Sequence, residues 1–231
     1  MRFLNIMGLL LVALFFSACA SSRPTTTKMA EFPHMYDDRR PLSILMLPPI
    51  NRTTASDAKE LYATTPAPLM TNHGYYFFPP LVVFDLMKQD GIFDTETLQE
   101  VPPQKFKEKF GADAILLVEI TEWNTSYIVV GGSVTVGFNM TLRSTTTGEE
   151  LWKRRAIVVT DTGGGNNNSG NGAAGLIAKM IVAAVKTATT DYMPIARAAN
   201  ARAVASLPYG RYHPLFDTDR QAVLSAAPER K

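Results

Sequence analysis

The sequence predicts an α/β (α+β) domain, with a mixed central sheet that contains an antiparallel meander and is flanked by helices. Three observations carry this reading. A short apolar run near residue 45 is closed by a proline pair, three strand-like segments follow one another between 114 and 160, and segments of helical period stand before and after them.

Pro41-Leu42-Ser43-Ile44-Leu45-Met46-Leu47-Pro48-Pro49 predicts a buried strand that stops abruptly, because proline has no N–H to give a sheet ladder. Asn51-Arg52-Thr53-Thr54 follows as loop, leading into a weaker polar segment through Leu61 and Tyr62. Tyr75-Tyr76-Phe77-Phe78 is extended and aromatic up to Pro79-Pro80. From Leu81 to Gly91 the spacing is helical with glycine in the stop position, and Phe106 and Phe110 mark a second helix ended by Gly111.

Ala114 to Trp123 opens as a buried strand and turns alternating. Gly131-Gly132 then supplies the positive φ angles of a hairpin turn. Val134, Val136, Phe138, Met140 and Leu142 alternate with polar neighbours as a half-buried strand, Thr147-Gly148-Glu149 turns the chain, and Leu151 to Thr160 completes the meander. The apolar stripe Leu176-Ile177, Met180-Ile181, Ala184-Val185 and Ala188 predicts a helix, followed by an Ala-rich helix from about Ile195 to Ser206. That stripe reads as core first and as a dimer interface second.

At 231 residues, 46% of them apolar and 19% charged, the chain has enough apolar matter for one ordinary core. A formal charge of +2 with no basic cluster beyond Lys153-Arg154-Arg155 argues against nucleic acid as a partner. The count of one cysteine removes any internal disulfide and leaves a domain without a thiol.

That cysteine lies in a targeting segment. A basic Arg2, an apolar run from Ile6 to Phe16 and the small residues Ser17 and Ala18 precede Cys19. This is the layout of a secretory signal whose apolar stretch is short for a span of about 20 residues. Phe16-Ser17-Ala18-Cys19 resembles the bacterial lipobox, with Phe16 where leucine is usual. The resemblance implies a thioether-linked lipid on Cys19 and a bilayer as partner, since each buried methylene contributes about 0.8 kcal/mol. Ala20 rather than Asp beside it resembles outer-membrane sorting with the domain on the periplasmic face. The expected division is signal peptide 1–18, lipidated flexible tether 19–41, one α/β domain 42–215 and a C-terminal tail 216–231.

Three segments resemble envelope lipoprotein domains of the curli-secretion (CsgG-like) and TolB N-terminal type: Ile44 to Thr53, Phe110-Gly111-Ala112-Asp113 with the strand after it, and Thr147-Gly148-Glu149-Glu150-Leu151-Trp152. More closely, Tyr75-Tyr76-Phe77-Phe78-Pro79 together with Leu207-Pro208-Tyr209-Gly210-Arg211-Tyr212-His213-Pro214 resembles a family of neisserial-antigen-type lipoproteins. The resemblance implies a TolB N-terminal-like sheet, an outer-membrane anchor and membership of an envelope complex, with a CsgG-like lipoprotein as a candidate partner. It implies no catalytic residue.

Local chemistry is sparse. Gly170-Asn171-Gly172-Ala173-Ala174-Gly175 matches G-x-G-x-x-G, but a loose Gly/Asn insert separates it from the preceding strand, so a dinucleotide turn is not expected and no cofactor is assigned. His34, His73 and His213 lack metal-ligand spacing. Glu119 interrupts an apolar strand and is expected to lie on a less buried face or to pair with a cation, with alternation placing it opposite Glu122. Tyr75, Tyr76, Trp123, Tyr209, Tyr212 and His213 are the candidate interaction residues.

The expected function is that of a non-catalytic accessory or assembly lipoprotein acting through protein contacts, with a homodimer through sheet edges or Ala-rich helices as one form. A ligand-binding auxiliary component of a transporter, with a pocket near the Gly/Asn loop, is the alternative.

Overall fold

The computed structural model describes residues 26–92, 95–128, 131–161 and 191–224. Cys19, the Gly/Asn insert and the stripe from Leu176 to Ala188 lie outside the described residues. The expected mixed α+β class is observed. Among the described residues a six-stranded sheet is ordered β3-β1-β4-β5-β6, with β2 also on β4.

The strands are β1 (Ser43–Met46), β2 (Ile50–Asn51), β3 (Tyr76–Phe77), β4 (Ala114–Ile128), β5 (Gly131–Ser144) and β6 (Glu150–Asp161). β1 runs parallel to β3 and β4, and β2 is parallel to β4. β4, β5 and β6 form the antiparallel meander. The two-residue β2 escapes a sequence reading because Pro48-Pro49 separates it from β1. It joins the sheet farther along β4, where Ile50 sits beside Glu119.

Gly131 and Gly132 are strand residues paired with Ile128 and Tyr127, so the hairpin reverses earlier than the glycine pair suggested. A register shift between Ile120 and Glu122 marks a bulge at Thr121. Ile120 beside Phe138 and Trp123 beside Val136 therefore both point into the core, although strict alternation would separate them.

Each face of the sheet has its own helical layer. On one face lie α2 (Ala58–Ala63), α3 (Ala67–Asn72) and α7 (Met193–Val204), packed over the main core that contains Ile44, Leu116, Phe138 and Trp152. Small residues at Ala196, Ala199 and Ala203 let α7 approach the strands closely, and this burial removes it as the Ala-rich dimer helix. Asn200 beside them accepts from the Tyr62 hydroxyl at 2.8 Å and donates to Thr65 Oγ1 at 2.7 Å. A fully buried amide is thereby satisfied.

The other face carries α4 (Pro80–Gln89), α5 (Thr95–Leu98) and α6 (Pro103–Phe110) over Leu45, Leu47 and Ile115. Val83 and Met87, one helical turn apart, and Phe106 fill this smaller core. Proline at the first position of α4 and α6 costs no hydrogen bond there. Gly111, at φ +71°, ends α6 in the left-handed conformation by donating to the Lys107 carbonyl. Asp113 just after it accepts from the Leu42 and Ser43 backbone N–H groups at 3.1 Å and pairs with Lys107. The Gly-Ala-Asp step thus pins β1 against β4.

Residues 26–41, expected to belong to a flexible tether, are part of the fold. Thr27 caps α1 (Lys28–Glu31), a 3-10 turn follows at Pro33–Met35, and Phe32, Met35 and Tyr36 are buried in the main core. Residues 216–224 of the predicted tail are likewise part of the fold, because Thr27 bridges Val223 and Leu224 is buried. What holds both ends is an ion pair inside the protein, Lys28 Nζ to Asp219 Oδ2 at 2.9 Å, with both side chains almost wholly buried. A polar, proline-punctuated composition conceals such packing, since its apolar residues follow no single period.

Removing one member of a buried pair strands the other charge. Lys28→Met is expected to lower the unfolding free energy by about 3–5 kcal/mol. Lys105→Met, which breaks only the exposed pair with Glu108, should change it by less than about 0.5 kcal/mol. Urea denaturation checks both, and equal effects would contradict the structural role of Lys28.

Candidate functional site: an aromatic clasp and its exposed surroundings

The C-terminal signature closes against the loop between α3 and β3. His73 Nε2 lies 2.6 Å from the Leu207 carbonyl oxygen, and Tyr75 donates its hydroxyl to the Pro208 carbonyl at 2.6 Å. Gly210 N–H donates to His73 O at 2.9 Å and Tyr212 N–H to Gly74 O at 3.1 Å. The two chains touch at Gly74 and Gly210. A Cβ on Gly74, whose φ is +89°, would fall 2.6 Å from the His213 Cβ and 2.8 Å from the Gly210 carbonyl oxygen. Only glycine fits this crossing.

Tyr209 lies at the centre. Its ring stacks on His213 at 3.9 Å between centroids with 5° between planes, His73 stands 4.8 Å away, and Lys28 Nζ is 5.1 Å from its centroid. Its backbone N–H donates to Asp219 Oδ2 at 3.2 Å, while Asp219 Oδ1 accepts from the Tyr36 hydroxyl at 3.0 Å. Burial, reinforced by the Asp219 charge, holds the Tyr36 hydroxyl protonated far above the ordinary tyrosine range, and burial does the same to Tyr75. These phenols serve as hydrogen-bond donors.

The candidate residues therefore separate. Tyr75 and Trp123, taken as surface candidates from the sequence, are buried at 2% and 3% exposure. Tyr75 is closed in by the clasp, and Trp123 stacks on Tyr192 at 5.2 Å because the Thr121 bulge turns it inward. Tyr209 and His213 are half-buried, whereas Tyr76 and Tyr212 stand 55% and 68% exposed.

Sequence reasoning missed Leu81, Val82 and Leu86 on α4, which are exposed on the same layer as Tyr76 and Phe78. Their signal was present. Pro80-Leu81-Val82-Val83-Phe84-Asp85-Leu86-Met87 is apolar on too many sides for a helix that buries only one. Leu215 and Phe216 beyond the signature are exposed as well.

Glu119 pairs with a cation, one of the two outcomes expected of its place in an apolar strand. Arg52 Nε donates to it at 2.9 Å and Asn139 at 3.2 Å, and the Arg52 guanidinium above all holds the carboxyl below the usual glutamate range. The bulge places Glu122 on the same face as Glu119, not the opposite one, with Glu122 lying over Gly137. An open groove of about 480 Å³ runs beside Glu119, lined also by Asn139, Thr141, Arg143, Glu150 and Lys153. A carboxylate kept ionised by arginine is poorly suited to deliver a proton. No grouping of three or more potential metal ligands occurs among the described residues.

The clasp carries its own pH dependence. Burial pushes the His73 imidazole below the ordinary histidine value of 6.5, the Leu207 carbonyl opposing and the Lys28 charge assisting the shift. The folded chain then binds fewer protons than the unfolded chain below about pH 6.5. This part of the stability should be intact above that value, fall as pH drops toward the folded-state pKa, and level off beyond it. The decline of urea midpoints from about pH 7 to about pH 5 should be shallower in His73→Gln, whose amide can still reach Leu207. Parallel declines would rule His73 out as the source.

Comparison with known proteins agrees with the signature. Residues 34–210 match the profile of the family described as "Putative lipoprotein GNA1162-like". A relative from Neisseria meningitidis serogroup B (strain ATCC BAA-335 / MC58), "Putative lipoprotein NMB1124/NMB1162", is 34% identical over 148 residues, spanning 64% of this chain and 66% of that protein. The crystal structure of lipoprotein GNA1162 from Neisseria meningitidis superposes with a TM-score of 0.52 at 31% identity, covering 62% of this chain and 96% of that one. The curli-secretion and TolB resemblances find no support in these matches. The matched region holds the sheet and the clasp as far as Gly210, and the chain belongs to the GNA1162-like lipoprotein family.

Proposed function

We propose that this protein is a lipoprotein of the outer membrane, anchored through Cys19 on the periplasmic side, which works without catalysis by contacting other envelope proteins. The lipobox and the lipoprotein relatives support the anchor. One observation above all supports the mode of action. The polar groups around the signature are occupied in holding the clasp, while Tyr76, Leu81, Val82 and Leu86 stand exposed on one helical layer. Apolar side chains gathered on a surface are more economically explained by a protein partner than by a reaction.

Two measurements test this. Cys19→Ser should release the protein from the membrane fraction; retention there would contradict the lipid anchor. A photo-crosslinking residue at Leu86 or Tyr76 of the full-length protein in cells should capture another envelope protein, with a matching residue at Lys105 as control. Capture of its own copy would make this face a homodimer contact, and equal capture at all three positions would remove the surface as a docking site.

A further inference from the structure

The N-terminal strap limits how the domain can stand on its bilayer. Seven residue steps separate Cys19 from Thr26, whose carbonyl accepts from Leu224 N–H at 2.9 Å. Even fully extended, that span covers at most about 25 Å. A domain of this size is roughly 40 Å across. With slack up to Pro41 it could turn freely, but the observed strap keeps the Thr26 corner near the membrane.

That corner is unusually apolar for an exposed surface. Met29 and Val223 are exposed there, Val223 at 63%, and Tyr212, Leu215 and Phe216 are exposed along the segment that leads to it through Asp217 and Arg220. They belong to one connected piece of structure. Met29 N–H donates to Arg220 O at 3.1 Å, Thr27 bridges Val223, and Arg220 pairs with Asp217 at 2.9 Å. Arg40 also pairs with Asp217, and its guanidinium lies 4.5 Å from the Phe216 ring centroid. With Asp217 neutralised by two arginines, no free carboxylate from that residue opposes lipid phosphates, and the exposed Arg211 adds a positive charge. Amphipathic aromatic rings and arginines beside apolar side chains suit the headgroup boundary.

We propose that this corner, made by Met29 and residues 211–223, rests on the phospholipid surface that holds the acyl chains of Cys19. The lipid and the corner then form two attachments, and the second one orients the domain. Tyr76 and the exposed face of α4 belong to a different helical layer and are left for partners. The proposal rests on the lipid anchor argued above.

The test uses the full-length lipidated protein in vesicles of phosphatidylethanolamine and phosphatidylglycerol. Acylation occupies the Cys19 sulfur, so a cysteine introduced by Tyr212→Cys or Val223→Cys is the sole free thiol and takes an environment-sensitive fluorophore. Val159→Cys is the control, exposed on β6 and seven residues along that strand from Trp152. Labels at 212 and 223 should shift to the blue and be quenched by brominated lipid several-fold more than the label at 159. Co-sedimentation with vesicles and acyl-cysteine mass spectrometry, run in parallel, separate the two claims. A bound, acylated protein with equal quenching at all three positions overturns the orientation and leaves the anchor standing. An unmodified Cys19 overturns both. Circular dichroism checks the fold of each variant, and either of the two exposed positions can carry the result.

Discussion

Lys28 and Asp219 are separated by 191 residues in the chain and by 2.9 Å in the fold. Both charges are out of water, and further hydrogen bonds to each of them offset the cost of burial. Lys28 also donates to the Leu207 carbonyl, and Asp219 accepts from the Tyr36 hydroxyl and the Tyr209 backbone. The pair locks the segment that begins at Thr26 onto the one that ends at Leu224. The aromatic stack about Tyr209 packs against that closure, beside the Gly74–Gly210 crossing.

The sheet supplies a rigid frame for this closure. Parallel pairing at β1 brings the Tyr75–Phe77 segment beside the core, and the long antiparallel meander carries Trp152 to Ser206 Oγ, where the indole donates at 3.0 Å. Two polar devices keep the frame in register, Asp113, which holds the start of β1 beside β4, and Asn200 within the main core. The bulge at Thr121 has the widest effect. It turns Trp123 inward and puts Glu119 and Glu122 on one face, which alters both the interaction surface and the electrostatics expected from alternation alone.

Much of the architecture was legible because it rests on period and punctuation. Val134 to Leu142 alternate, Val83 and Met87 repeat by one turn, and Gly111 follows the last turn of its helix. The C-terminal signature was legible as a motif without its reason, which is the crossing at Gly74 and the stack about Tyr209. Short elements such as β2, α3 and α5 were not legible, since two to six residues carry too little period to rise above loop composition. Nor were the buried ends, because Phe32, Met35 and Tyr36 enter the core one by one among prolines and charges.

From the sequence alone came the α+β class and the meander, together with the expectation of a secretory signal that ends at a cysteine, all set by neighbours within a few residues. Tertiary structure decided which tyrosines face water, that residues 26–41 pack into the fold and which carboxylates share a face. Those outcomes depend on contacts between residues far apart in the chain and on a single inserted residue in β4. Local patterns carry no record of such contacts, because the energy of burying Lys28 or Tyr75 is settled by partners more than a hundred residues away.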